Sequence, residues 1–254
     1  MKGEANILKK LKDDTQYYGE FGQQFLSNSD IKDLLNNPAE FKKPTEEDKA
    51  LVVGRYFHQC ILEPEKAKEV VHVDVSSRNT KAYKEMIIDH QESLTTLDKP
   101  ILLLTKEKEE VDEMVRRMKG NFKFFDSIYA DGNKFELPAV GNIMGVAFKG
   151  KADIVCNDCL IDLKTTSDIS KFKWSCNTYN YDSQCYIYQV LFGKPLKFYV
   201  IDKQTLLMGK FTPTQAFVDR GREKVSRAVD VYNRFYGEKA TEDVLSYYIE
   251  EELY

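Results

Sequence analysis

The run Gly150-Lys-Ala-Asp-Ile-Val-Cys-Asn-Asp-Cys-Leu-Ile-Asp-Leu-Lys-Thr-Thr166 restricts this chain more than any other segment. Aliphatic residues crowd both sides of Asn157-Asp158, a turn-forming pair, so the run predicts two antiparallel strands joined by a two-residue turn. Closed there, the hairpin sets Cys156 opposite Cys159, Val155 opposite Leu160, Asp153 opposite Asp162 and Lys151 opposite Lys164. Opposed Cβ atoms in such a ladder lie ~4.5–5.5 Å apart, so two carboxylates there repel unless a cation joins them. A charged, solvent-facing strand pair carries the same acids, but Ile154, Val155, Leu160, Ile161 and Leu163 leave this one little exposed surface, where unpaired charge is costly. In the second strand Asp162 and Lys164 share one face, and Ile161, Leu163 and Thr165 share the other. Hard oxygen ligands of this kind predict Mg²⁺ or Mn²⁺, which polarises a phosphate and lowers the pKa of an attacking water. Lys164 then either orients that water or neutralises charge building on phosphorus.

Periodicity sets out the rest of the chain. The first twenty-odd residues are polar and predict a loosely docked arm. Ser27 and Ser29 offer N-caps for a helix to about Asn36, stopped by Pro38. Thr45 and Asp48 form a capping box for a helix to about Leu62, with Leu51, Phe57 and Ile61 inward and His58 on the face of Leu51, Gly54 and Leu62. Residues 76 to 100 predict loop and short helix, closed by Pro100. Thr105 caps a further helix with the stripe Val111, Met114, Val115 and Met118, ended by Gly120. From Phe135 to Thr165 the period changes to two, the mark of strands. A helix over Asp182 to Phe192 follows, then strands over Leu196 to Ile201 and Leu206 to Phe211. Pro213 is expected at N1 of a long helix with Phe217, Val225, Ala228, Tyr232 and Phe235 on one face. This order predicts an α/β (α+β) core rather than alternating βαβ units.

The chain has 254 residues, long enough for one large domain, and its 37 basic against 41 acidic residues give a net charge of −4. That balance argues against a protein that simply coats nucleic acid, but not against an enzyme whose metal and local basic patch supply the positive field. The longest aliphatic run, Ile101 to Leu104, falls far short of the ~20 residues that span a bilayer, so no membrane association is expected. Met1 to Asp14 lack the apolar stretch of a secretory signal, which points to the cytoplasm and predicts that the five cysteines remain thiols. Cys156 and Cys159 with Cys176 and Cys185 lack the two close pairs of a zinc or iron–sulfur site.

Asp153, Asp162 and Lys164 resemble the acid, gap, acid-x-Lys mark of the PD-(D/E)XK nuclease superfamily. Gly54-Arg-Tyr-Phe-His-Gln-Cys-Ile-Leu-Glu-Pro64 resembles the Gly-x-x-x-His…Leu-Glu-Pro helix of RecE-type (exonuclease VIII) phage exonucleases. Arg78 to Lys84 resembles a downstream segment of the same proteins, and Gln184-x-x-x-Tyr188 matches a helix shared with RecB-like and lambda-type exonucleases. The resemblance covers about residues 25 to 235. It implies a restriction-endonuclease-like core, a mixed central sheet flanked by helices, over residues 25–238, with an N-terminal arm (1–24) and a C-terminal tail (239–254).

By the same resemblance, Asp153 and Asp162 are metal ligands, joined by the Leu163 carbonyl and by His58 as ligand or neighbour. Lys164 assists the nucleophile, and Glu136 stands where such nucleases carry an extra acid. Gln184 and Tyr188 contact the DNA backbone or brace the catalytic strand. Taken alone, His58 reads as a satisfied core histidine and Gln184 and Tyr188 as an ordinary helix face. Lys149, Lys151, Lys171, Lys173 and Trp174 are expected to form a basic rim with a stacking aromatic, or else a solvated edge. The implied activity is Mg²⁺-dependent 5′ to 3′ exonuclease action on double-stranded DNA ends in phage-type recombination. The implied setting is a homo-oligomeric ring working beside a single-strand annealing protein in a bacterial or phage-infected cell. The alternatives are a RecB-like single-strand or structure-selective nuclease, and a nuclease-like DNA-binding protein without catalysis.

Overall fold

A computed structural model of the chain describes residues 2–43, 49–89 and 101–250. The polar N-terminus is helical, as α1 (Lys2–Leu11) and α2 (Asp14–Tyr18), the latter capped by Asp13, whose carboxylate accepts the Gln16 N–H at 3.0 Å. It is not the loosely docked arm that its polarity suggests. Leu11 and Tyr17 are buried, Asp14 pairs with Lys66 at 2.7 Å and with Lys151, and Lys149 donates to the Tyr17 carbonyl. Its polar groups find partners far along the chain, which composition does not reveal.

Helix α3 (Asn28–Asn36) opens at Ser27, whose N–H donates to the Asp30 carboxylate at 2.6 Å. Helix α4 spans Lys49–Leu62, and the start expected at Thr45 and Asp48 lies outside the described residues. Its buried face is Val52, Val53, Tyr56, Phe57, Ile61 and Leu62, whereas Leu51, expected inward, is 62 % exposed. Six residues separate Leu51 from Phe57, which places them on different sides of a 3.6-residue turn. Next come α5 (Pro64–Ala67), β1 (Val71–Val73), α6 (Lys81–Asp89), and β2 (Leu102–Leu104), which pairs in parallel with β1. Pro100, the expected closure before β2, is also outside the described residues. In α7 (Thr105–Lys119) Thr105 is the first helical residue rather than the cap, and the Glu107 carboxylate accepts the Leu104 N–H at 3.0 Å. The stripe Val111, Met114, Val115 and Met118 is buried as expected. Helix α8 (Phe122–Ile128) leads into the main sheet.

That sheet comprises β3 (Lys134–Ile143), β4 (Val146–Val155) and β5 (Leu160–Thr166), then, after α9 (Phe172–Thr178) and α10 (Tyr181–Phe192), β6 (Leu196–Asp202) and β7 (Met208–Phe211). Its order is β3-β4-β5-β6-β7, with β5 and β6 parallel and the other neighbours antiparallel. A parallel pair needs a crossover, which α9 and α10 provide. The last helix, α11 (Gln215–Phe235), is capped by Thr214, so Pro213 precedes the cap instead of occupying N1. The result is the expected mixed sheet between helices. Ile154, Ile161, Leu163, Tyr199 and Ile201 pack with α4, α7 and α8 on one face. Leu160, Phe198 and Val200 pack with α3, α10 and α11 on the other. The central pair β5 and β6 is therefore covered on both faces, as parallel strands require. No helix among the described residues is long and apolar enough to cross a membrane, and all five cysteines are free thiols.

Candidate active site and metal centre

The β4–β5 hairpin has the register its turn predicts, but only at the closed end. Val155 pairs with Leu160 and Ile154 with Ile161, and the Cys156 N–H donates to the Cys159 carbonyl at 2.9 Å. One step on, the ladder stops. The Leu163 N–H, which a continued ladder would give to Ala152, donates instead to Asp153 Oδ2 at 2.7 Å. The expected pairing of Lys151 with Lys164 is absent for the same reason. Lys151 reaches Asp14, and Lys164 Nζ lies 2.6 Å from Asp162 Oδ2. Strands β4 and β5 part here because a carboxylate has taken a backbone acceptor's place in the ladder, and such a charge-assisted bond is worth about 1.5–3 kcal/mol.

Other side chains supply the partners that the parted strands lack. His58 Nε2, from α4, donates to the Leu163 carbonyl at 2.8 Å, and its Nδ1 lies 3.3 Å from Asp153 Oδ2. Tyr188 donates to the Lys151 carbonyl at 2.9 Å, and Gln184 Nε2 donates to Asp162 Oδ1 at 2.6 Å. Both α10 residues are buried and brace strands. Glu136 sits in β3 at φ 47°, left-handed backbone that a non-glycine residue adopts at a cost of about 1–3 kcal/mol. The β3–β4 register skips the Glu136–Asp153 pair at this point.

His58, Glu136 and Asp153 each present one ligand atom, all within 4.8 Å of one another. Two carboxylates and an imidazole suit a hard divalent cation. Asp162 stands outside that trio. Its Oδ2 is buried and makes no hydrogen bond, although Lys164 Nζ is 2.6 Å away. The Lys164 ammonium balances this carboxylate at 2 % exposure, and a divalent cation beside Asp153 would add a second positive partner. The electrostatics agree with that fit. Burial together with the nearby Asp153 charge pushes the Glu136 carboxyl up to about 8. Burial disfavours the His58 imidazolium, but Asp153 outweighs it and raises His58 to about 9. Burial likewise opposes charge on Asp153, yet His58, Lys164 and the Leu163 N–H hold its carboxyl below the usual value. Lys164 is buried too, and Asp162 and Tyr181 nevertheless raise it, so the geometry favours a charged Lys164–Asp162 pair. Protons on His58 and Glu136 thus balance the charge that a divalent cation would balance.

The expected basic rim divides in two. Lys149 and Lys151 are buried beneath α2, where their ammonium groups lie 4.2 and 4.5 Å from the Tyr17 ring, and burial pushes Lys149 down to about 8. Lys171, Lys173 and Trp174 are exposed on and before α9. Sequence reasoning missed Tyr181, whose ring lies 4.9 Å from Lys164 Nζ. Its spacing to Gln184 and Tyr188, three and seven residues on, is a helical stripe that marks it. Asp14 was missed as well, and nothing in its local sequence signals its role.

A family model described as a PDDEXK-like domain of unknown function (DUF3799) matches residues 27–242. Among solved structures, a protein from Eubacterium rectale named "Putative exonuclease" aligns over 94 % of this chain and 94 % of its own at 18 % identity, with a TM-score of 0.60. At that identity the likeness is one of fold. The structure of SSO0001 aligns over 81 % of this chain and 86 % of its own at 16 % identity, with a TM-score of 0.31. No curated protein matches the chain.

Proposed function

Because the chain belongs to the family described as PDDEXK-like domain of unknown function (DUF3799), we propose that it is a Mg²⁺- or Mn²⁺-dependent deoxyribonuclease that hydrolyses phosphodiesters from DNA ends. The observation that carries this reading is the parting of β4 from β5 at Asp153, which gathers His58, Glu136 and Asp153 beside the buried Asp162–Lys164 pair. The cation would be held by Asp153 and Glu136 with His58, the Leu163 carbonyl and Asp162 Oδ2, and it would polarise the scissile phosphate and acidify a water.

The protein's own groups do the remaining work. Lys164, kept charged by Asp162, meets the negative charge that develops on the phosphate and orients the attacking water. Gln184 engages one Asp162 oxygen and leaves the other to Lys164 and the cation. His58 gives up its proton to serve as a ligand. Tyr188 fixes β4 through the Lys151 carbonyl, and so fixes where Asp153 stands.

The RecE-like resemblance extends the proposal to 5′ to 3′ degradation of duplex ends in recombination, next to a single-strand annealing protein. A net charge of −4 gives one subunit little grip on a polyanion, so a ring of subunits threaded by the DNA is proposed to hold it. The test is digestion of linear and covalently closed duplex with Mg²⁺, beside the solution mass. Degradation of linear DNA alone, by a particle several times 29.5 kDa, is expected. A monomer that nicks closed circles as fast as it digests linear DNA refutes the ring and the end requirement.

A further inference from the structure

Beside the candidate site the surface carries an aromatic track. Lys164 Nζ lies 4.9 Å from the Tyr181 ring, and Tyr181 stacks on Tyr179 with centroids 5.8 Å apart and planes 30° from parallel. Tyr179 is 62 % exposed, as is Trp174 on α9. Lys173 Nζ sits 4.4 Å over the Trp174 ring, and Lys171, Trp174, Ser175 and Thr178 line a shallow groove. Phe172, buried at the start of α9, packs 5.8 Å from Tyr181 and 4.7 Å from Phe211, so the groove is anchored to the track that ends at Lys164.

Trp174 on α9 and Tyr179 just past its end each give one ring face to the fold, to Lys173 and to Tyr181, and remain 62 % exposed. Lys171 and Lys173 lie beside Trp174. Lys171 shares its charge with Asp168 at 2.9 Å, while Lys173 lies against the indole. Ring faces interleaved with ammonium groups are the chemistry that grips a nucleic-acid strand whose bases are free to stack. A duplex keeps its bases inside and offers no ring face to Trp174. Tyr181 touches Lys164, and Lys164 lies 2.6 Å from Asp162, so this surface adjoins the site.

The geometry points to an unpaired DNA strand as the occupant of this surface, with bases stacked on Trp174 and Tyr179, phosphates beside Lys171 and Lys173, and the backbone led over Tyr181 to Lys164. The inference rests on the deoxyribonuclease reading of the same site and adds that the strand entering it is separated from its complement.

Trp174 is the chain's single tryptophan, so its emission reports stacking directly. The full-length protein is titrated, in chelator, with an oligothymidylate of about ten nucleotides, within the site size of a single-strand groove, and with a duplex dumbbell whose ends are closed by non-nucleotide linkers. Saturable quenching by the oligothymidylate and none by the dumbbell is expected. In anisotropy with labelled oligothymidylate, Trp174→Ala should weaken binding about ten-fold, and Trp174→Phe, which keeps a ring face, by less. The double change Lys171→Ala and Lys173→Ala should make the logarithmic salt dependence shallower by about 1.4, two phosphate contacts' worth. No quenching by the oligothymidylate, or equal quenching by the dumbbell, overturns the inference. Because binding is read without metal, lost quenching with intact cleavage of linear DNA removes the platform alone. Intact quenching without cleavage under Mg²⁺ removes the nuclease reading alone.

Discussion

Helix α10 borders two buried acids that the fold treats in opposite ways. Asp182, on the helix itself, is fully satisfied: Oδ1 accepts from Lys224 at 3.0 Å and from the Ser183 N–H at 2.9 Å, and Oδ2 accepts from Arg220 at 2.7 Å. Asp162, on β5, receives one hydrogen bond from Gln184 of the same helix, and its second oxygen has none. Both carry a cationic neighbour, so charge balance does not distinguish them. What differs is whether the local chain finishes the coordination. The Asp182 cluster closes on itself and ties α10 to α11, whereas the Asp162 cluster stays open beside the Glu136–Asp153 pair. An acid balanced by a single lysine and set beside a second pair of carboxylates marks a place where a ligand can enter.

Substitutions at these two acids test the contrast most severely. Asp162→Asn keeps an acceptor for Gln184 but takes the counter-charge from the buried Lys164, and should cost about 1–3 kcal/mol in denaturant unfolding. It should also remove cleavage by several orders of magnitude in a nucleotide-release assay. Asp182→Ala should do the reverse, costing about 3–5 kcal/mol in denaturant unfolding by stranding Arg220 and Lys224, with the folded fraction still active. Near wild-type cleavage by Asp162→Asn breaks the comparison at once.

Lys164→Ala sharpens it, because Lys164 completes the charge of the open cluster. Single-turnover rates should fall about 10²–10⁴-fold, with DNA affinity nearly unchanged. Next in size is His58→Ala, expected to weaken metal affinity about 10–100-fold by calorimetry while the chain still folds. Ca²⁺ should bind the wild-type site and support little cleavage, since its looser coordination positions water less well. If His58→Ala melts the protein and the refolded fraction is fully active, His58 is a core histidine and no more.

The smallest effect concerns a third buried acid, satisfied entirely by backbone. Asp202 accepts the N–H groups of Ile169, Gln204 and Thr205 at 2.8, 2.9 and 2.9 Å, which outweigh burial and hold its carboxyl below the ordinary 3.8. A depressed folded value means that stability is present above the unfolded pKa and lost as pH falls through the folded one. Acid unfolding curves of wild type and Asp202→Asn should therefore converge as the pH falls below 3.8 and through the depressed folded value, with the variant less stable by about 1–3 kcal/mol at neutral pH.

The mixed sheet and the hairpin turn were legible because both are written in local period and turn chemistry. The place of Asp153 in the ladder was not, since a regular register sets it opposite Asp162 and only the three-dimensional environment shows the Leu163 N–H diverted to it. Glu136 joined the site through a left-handed backbone at one position, which pattern reading takes for an ordinary strand residue. Lys149 and Lys151 read as surface lysines because their partners, Tyr17 and Asp14, lie more than a hundred residues upstream.

Those last contacts have a consequence for how the molecule is assembled. Asp14 and Lys151 are 137 residues apart, and Tyr17 and Lys149 are 132 apart. Helices and hairpins close short loops and form early, while joining ends this distant gives up far more chain freedom before any contact repays it. On the ribosome, α1 and α2 emerge well before β4 and wait for it to be made before they find these partners. The strand that bears Asp153 is therefore joined to these helices only after the chain between them has been made, and a chain that stops before β4 is complete lacks these contacts.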